Sequence, residues 1–128
     1  MSYHITTTYN GTFEEAIETV TAELKNEGFG VLTDIDIKET LKKKLDVDFK
    51  KYRILGACNP GMAYQALQSE DKIGTMLPCN VIVEEHEDGT VEISAVDPLV
   101  SMQAIENEEL KTIATKVREL LASVIERV

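Results

Sequence analysis

Apolar and polar positions repeat with two different periods along this chain, and the switches between them mark out its elements. Tyr3–Tyr9 is β-branched and aromatic, with Ile5 as the inward candidate, which predicts a first strand. Asn10-Gly11 turns the chain, and Thr12 with Glu15 has the spacing of a capping box. Phe13, Ala16, Ile17, Val20 and Leu24 then recur every three to four residues, so Thr12–Asn26 reads as an amphipathic helix that Gly28 ends. The period returns to two in Phe29–Lys38. That alternation assigns Phe29, Val31, Ile35 and Ile37 to one face of a half-buried strand and Asp34 and Asp36 to the other.

Glu39–Phe49 predicts a short connecting helix that carries Lys42, Lys43 and Lys44. Tyr52–Asn59 reads as a strand in which Tyr52, Ile54 and Cys58 share a parity. Asn59-Pro60 is an N-cap followed by proline at the first helical position, opening a short helix through Met62, Ala63, Ala66 and Leu67. Leu77–His86 and Thr90–Val96 are two strands joined by a Glu87-Asp88-Gly89 turn. From Asn107, the positions Leu110, Ile113, Val117, Leu121, Val124 and Val128 build a long terminal helix. The order is strand, helix, four strands, helix, with two small helices inserted. It predicts an α+β fold in a single domain of residues 1–128, its last four strands an antiparallel meander with helices on one face.

Composition narrows the possible partners. The chain has 128 residues, 43% of them apolar and 28% charged, with 23 acidic against 13 basic side chains and a formal charge of -10. Such a surface repels phosphate backbones, and the lysine run is interrupted by Asp46 and Asp48, so no nucleic-acid partner is expected. No apolar run reaches the roughly 18 residues of a membrane helix. The N-terminal stretch lacks the basic start and apolar core of a signal peptide, so a cytoplasmic protein without a membrane partner is expected. No cofactor is implied by any motif.

The chemistry that remains centres on two cysteines, Cys58 in GACNPG and Cys79 in LPCNV, each followed by asparagine. They lack C-x-x-C spacing, which removes zinc ribbons and thioredoxin motifs. Antiparallel pairing lays the end of one of their strands beside the start of the next. With both thiols expected on the helix-covered side, one rim would gather Cys58, Asn59, Cys79, Asn80, Asp97 and Met102, with Met62 and Met76 close by. Free cysteine packs as a small hydrophobe, and the asparagines suit caps and turns, which is the simpler account. A low-pKa Cys58 at a helix start, resolved by Cys79, is the redox alternative. A soft metal, Cu(I) or Zn, held by Cys58 and Cys79 is the other.

Other candidates read as surface chemistry. There is no P-loop, no G-x-G-x-x-G, no H-E-x-x-H and no G-x-S-x-G, so no catalytic residue is assigned. Glu84–Gly89 contains Glu84, Glu85 and His86 and could be a metal cluster, but solvated turn chemistry explains a hairpin tip more simply. His86 is expected at the rim opposite the cysteines. On the outward parity, Asp34, Asp36, Glu84 and Glu92 alternate with Leu32, Leu55 and Ile82, an apolar stripe suited to a dimer contact.

GFGVLTDIDIKETL, RILGACNPGMAYQAL and MLPCNVIVEE, followed by VDP and a methionine, resemble the family called domain of unknown function 302. The resemblance spans nearly the whole chain, and Cys58, Asn59, Pro60, Pro78 and Cys79 match the family's motif positions. It implies a TATA-binding-protein-like arrangement and a small protein often found as a homodimer, and it carries no established activity. The resulting expectation is a non-enzymatic homodimeric binding or interaction protein with a small-ligand pocket at the cysteine rim. Thiol-redox or soft-metal binding by Cys58 and Cys79 is the alternative.

Overall fold

The computed structural model describes residues 2–128. Strand β1 (His4–Tyr9) leads into helix α1 (Phe13–Asn26), whose start carries both arms of the capping box between Thr12 and Glu15. Its end is a Schellman motif. Gly28, at φ 85°, donates to the Lys25 carbonyl at 3.0 Å and Phe29 donates to the Leu24 carbonyl at 2.9 Å. Then come β2 (Gly30–Asp36), α2 (Ile37–Leu45), β3 (Tyr52–Cys58), α3 (Pro60–Ser69) and a 3-10 turn over Asp71–Met76. The chain closes with β4 (Cys79–Glu85), β5 (Val91–Val96), a single turn α4 (Pro98–Ser101) and α5 (Glu108–Arg127). No described helix is long and apolar enough to cross a membrane.

The five strands form one antiparallel sheet in the order β1-β5-β4-β3-β2, so β2 to β5 are the meander the pattern implies and β1 docks beside β5. Helices α1 and α5 pack on one face of it. Leu55, Val81, Val83, Ile93 and Ala95 on that face meet Val20 and Leu24 of α1 and Leu121 and Val124 of α5, all buried. A Leu or Ile removed from water there contributes about 1.5–3 kcal/mol, which is why the apolar stripe of α5 dominates over its many charges. The other face carries no helix of this pair.

Two parities differ from the alternation rule. The pairing of β2 with β3 slips between Val31 and Thr33, a bulge at Leu32. A one-residue insertion moves every later side chain to the opposite face. Phe29 and Val31 stay with the core, but Ile35 crosses to the open face opposite Ile54, while Asp34 sits opposite the buried Leu55. Asp34 there takes a two-pronged bond from Arg53, 2.7 Å from Nε and 2.6 Å from Nη2. That guanidinium holds the Asp34 carboxyl below the usual carboxylate range. Ile37 leaves the strand altogether because Asp36 caps α2, accepting from the Glu39 amide at 2.9 Å.

The second correction concerns β3. Its core parity is Leu55 and Ala57, opposite Val81 and Cys79, so Leu55 is 1% exposed and takes no part in an outward stripe. Tyr52, Ile54 and Cys58 have the parity of the open face, opposite in pleat to Cys79. The open face is therefore crossed by a row of Ile35, Ile54, Ile82, Ser94 and Thr6. The last two share a 2.8 Å hydroxyl bond. The helix expected to run to Phe49 ends at Leu45, where Asp46 adopts a left-handed φ of 54°. The short α4 after Asp97 was not legible in the pattern.

Candidate functional site

The end of the sheet where β3 finishes and β4 begins is closed by α3 and α5. Asn59 caps α3, its Oδ1 accepting from the Met62 amide at 3.3 Å, and Pro60 fills the first helical position, where no N–H is needed. The Asn59 amide nitrogen also lies over Gly28, 3.2 Å from where a β-carbon there would stand. Asn107 joins the two covering helices: its side-chain N–H donates to the Ser69 carbonyl of α3 at 2.9 Å, while its Oδ1 accepts from the Leu110 amide and starts α5.

Between these elements lies an apolar cavity of about 40 Å³, with walls from Cys58, Asn59, Met62, Ala63, Cys79 and Met102, backed by Phe29 and the Ile113–Val117 stretch of α5. Roughly 10–15 Å³ holds one water centre, so this space suits a few small heavy atoms, and the two thioether side chains can re-pack around more. Pro78 follows a cis peptide bond from Leu77 and covers Gly56 on the open side. A β-carbon at Gly56 would overlap the Thr33 hydroxyl and stand 2.7 Å from Pro78 Cγ. The glycine is thus required by close approach at the cysteine rim.

Four of the six residues the sequence nominated meet at this cavity: Cys58, Asn59, Cys79 and Met102. Asn80 does not, since its parity turns it to the open face, where it is exposed. Asp97 is 6% exposed but committed to structure. Its Oδ1 accepts from the Leu99 amide at 3.0 Å to cap α4, and its Oδ2 takes Arg118 Nε at 2.8 Å. Met76 is exposed and apart from the cavity, and Pro98, which sequence reasoning overlooked, supplies part of its wall. Both cysteines are free thiols, Cys79 buried and Cys58 half-buried. Burial pushes the Cys79 thiol up from its ordinary 9.0 to about 11, and the neighbouring Cys58 adds to the push. At neutral pH Cys79 is a packed, protonated thiol.

Residues 3–128 match the family model described as domain of unknown function DUF302. The chain belongs to this family. The crystal structure of an uncharacterized conserved protein DUF302 from Bacillus stearothermophilus is similar throughout, with a TM-score of 0.92 at 32% identity, covering 99% of this chain and 98% of that one. Among proteins of curated description, none matches significantly. Of the residues in the two cysteine motifs, Cys58, Asn59, Pro78 and Cys79 line the cavity described above, and Pro60 opens α3 beside it.

Proposed function

We propose that this DUF302 chain is a homodimeric binding protein of the cytoplasm that accepts a small apolar ligand at the cysteine rim. The observation that carries the reading is the cavity: its walls are thiol, thioether and aliphatic with the ring of Phe29, and its one side-chain amide, Asn59, is already used as a cap. Concave apolar walls of this kind favour small apolar molecules over water. Pairing of two chains is supported by the row of Ile35, Ile54 and Ile82 on the open face, together with Leu32 and Tyr3, each 68% exposed.

Benzene and indole, titrated into tag-free protein and followed by amide NMR, test the pocket. Saturable shifts at Cys58, Ala63 and Met102 are expected, and Ala63→Leu, which fills the space, should abolish them. Absence of saturable shifts at those amides sinks the reading. Light scattering tests the pairing: a dimer is expected, and Ile54→Lys should yield monomers.

The second reading is thiol-redox or soft-metal chemistry by Cys58 and Cys79, favoured by their lining of one cavity. It requires Cys58 to act as the thiolate, since Cys79 is held protonated. Alkylation kinetics from pH 6 to 9 decide it: Cys58 reacting no faster than a free thiol removes the redox form.

A further inference from the structure

The hairpin end of the open face carries a second set of chemistry-bearing side chains. Glu84 and Glu92 are direct partners across β4 and β5, and His86 follows Glu84 at the next position of the same parity. Like charges set directly opposite each other destabilise a sheet, so two facing glutamates need a cation between or beside them. The structure supplies two partial answers. Lys50 Nζ lies 2.7 Å from Glu84 Oε1, and His86 Nε2 lies 2.5 Å from Glu92 Oε1 and 3.9 Å from Glu84 Oε1.

One ligand atom from each of Glu84, His86 and Glu92 falls within a 4.8 Å sphere of mutual distances. The three side chains are partly withdrawn from water, at 15%, 35% and 32% exposure. Four-coordinate Zn²⁺ with bonds near 2.1 Å sets its ligands about 3.4 Å apart. Reaching that spacing takes a parting of His86 from Glu92 by about 0.9 Å, a closing of Glu84 on His86 by about 0.5 Å, and a closing of the two carboxylates, now within 4.8 Å, by up to about 1.4 Å, all within reach of side-chain torsions. Imidazole with two carboxylates is a donor set for borderline first-row divalent cations, and the outward side leaves the fourth position to water.

We propose that Glu84, His86 and Glu92 form a binding site for a divalent first-row cation of the Zn²⁺ type on the open face of the sheet. The site is separate from the cysteine cavity at the other end of β4 and stands whether or not that cavity binds anything. A divalent cation would neutralise both glutamates at once, which neither Lys50 nor His86 does alone. Lys50 is then a competitor for Glu84, held beside the rings of Phe49 and Tyr52 at 5.9 and 5.8 Å.

Tag-free protein of residues 1–128, stripped with chelator, is titrated calorimetrically with Zn²⁺ and its Co²⁺ complex is examined by absorption. One Zn²⁺ per chain is expected. Glu92→Gln and His86→Ala should each weaken binding at least tenfold, Lys50→Met should tighten it several-fold, and a Cys58→Ser/Cys79→Ser variant should leave it unchanged. No Zn²⁺ binding below millimolar concentration, or binding unchanged in Glu92→Gln, overturns the proposal. So does a sulfur-to-cobalt charge-transfer band in the wild-type complex, a readout that needs no variant to fold.

Discussion

Strand β4 begins at Cys79 and ends beside His86, and its two ends behave as different chemical media. At the first end the side chain is covered by α3 and α5, the thiol is pushed to about 11, and the neighbouring cavity is apolar. At the second end the open face lies away from α1 and α5, and two carboxylates, a histidine and a lysine crowd together. Residue type differs between the ends, but the larger difference is cover. A helix layer removes water and makes charge costly, whereas an open sheet face tolerates it. The contrast teaches that the cysteine rim is a packing device with space in it, while the hairpin rim is an electrostatic device that needs a counter-charge.

The strongest blow to this contrast falls on the covered end. Gly56→Val drives a branched side chain into Thr33 and Pro78. A cost of about 3 kcal/mol is expected, from overpacking, measured by urea denaturation. Cys79→Ser comes next. It places a hydroxyl among apolar walls at a position 8% exposed, and about 2 kcal/mol should be lost, whereas Cys79→Ala should cost less than a buried large side chain would. An equal loss for Ser and Ala would show that polarity is tolerated at this rim.

A smaller effect lies in pH. The folded Cys79 pKa is raised above its ordinary value of 9.0 to about 11, so folding favours the protonated thiol. That contribution is fully present below pH about 9 and is lost as pH rises from there through about 11. Melting temperature should therefore decline across this window in the wild type, and Cys79→Val should flatten that part of the decline. The smallest effect belongs to the open end. Glu92→Gln trades a bond with His86 for relief of repulsion against Glu84, so the stability change without added cation should stay within about 0.5 kcal/mol. A loss as large as that of Cys79→Ser would erase the distinction between the two ends.

Much of the fold was legible because its signals are local. Thr12 and Glu15 sit in one helical turn, Gly28 follows its helix directly, and Asn59-Pro60 carries its own capping chemistry. The long apolar stripe from Leu110 to Val124 needs no partner to be recognised. The candidate site was legible in part for the same reason: consecutive antiparallel strands bring Cys58 and Cys79 to one rim, whatever their exact pleat. What failed was parity. The Leu32 bulge carries no composition signal, yet it moved Ile35 to the open face and Asp34 to the core side. Leu55 and Ile54 are equally apolar neighbours, and only pairing with Val81 shows which is inside. Asp97 looked like a pocket carboxylate because its partner Arg118 lies on a different element.

By itself, the amino-acid order determined the five strands, the two long helices and their succession, the meander, and the rim where the cysteines gather, but neither the 3-10 turn at Asp71–Met76 nor α4. Those follow from periodicity, capping and turn chemistry, which act over a few residues. Only the tertiary structure decided which faces β2 and β3 present, that Cys58 lies opposite in pleat to Cys79, and that Glu92 stands directly opposite Glu84 beside His86. These depend on register between distant segments, where a one-residue slip costs little locally and reverses every face beyond it.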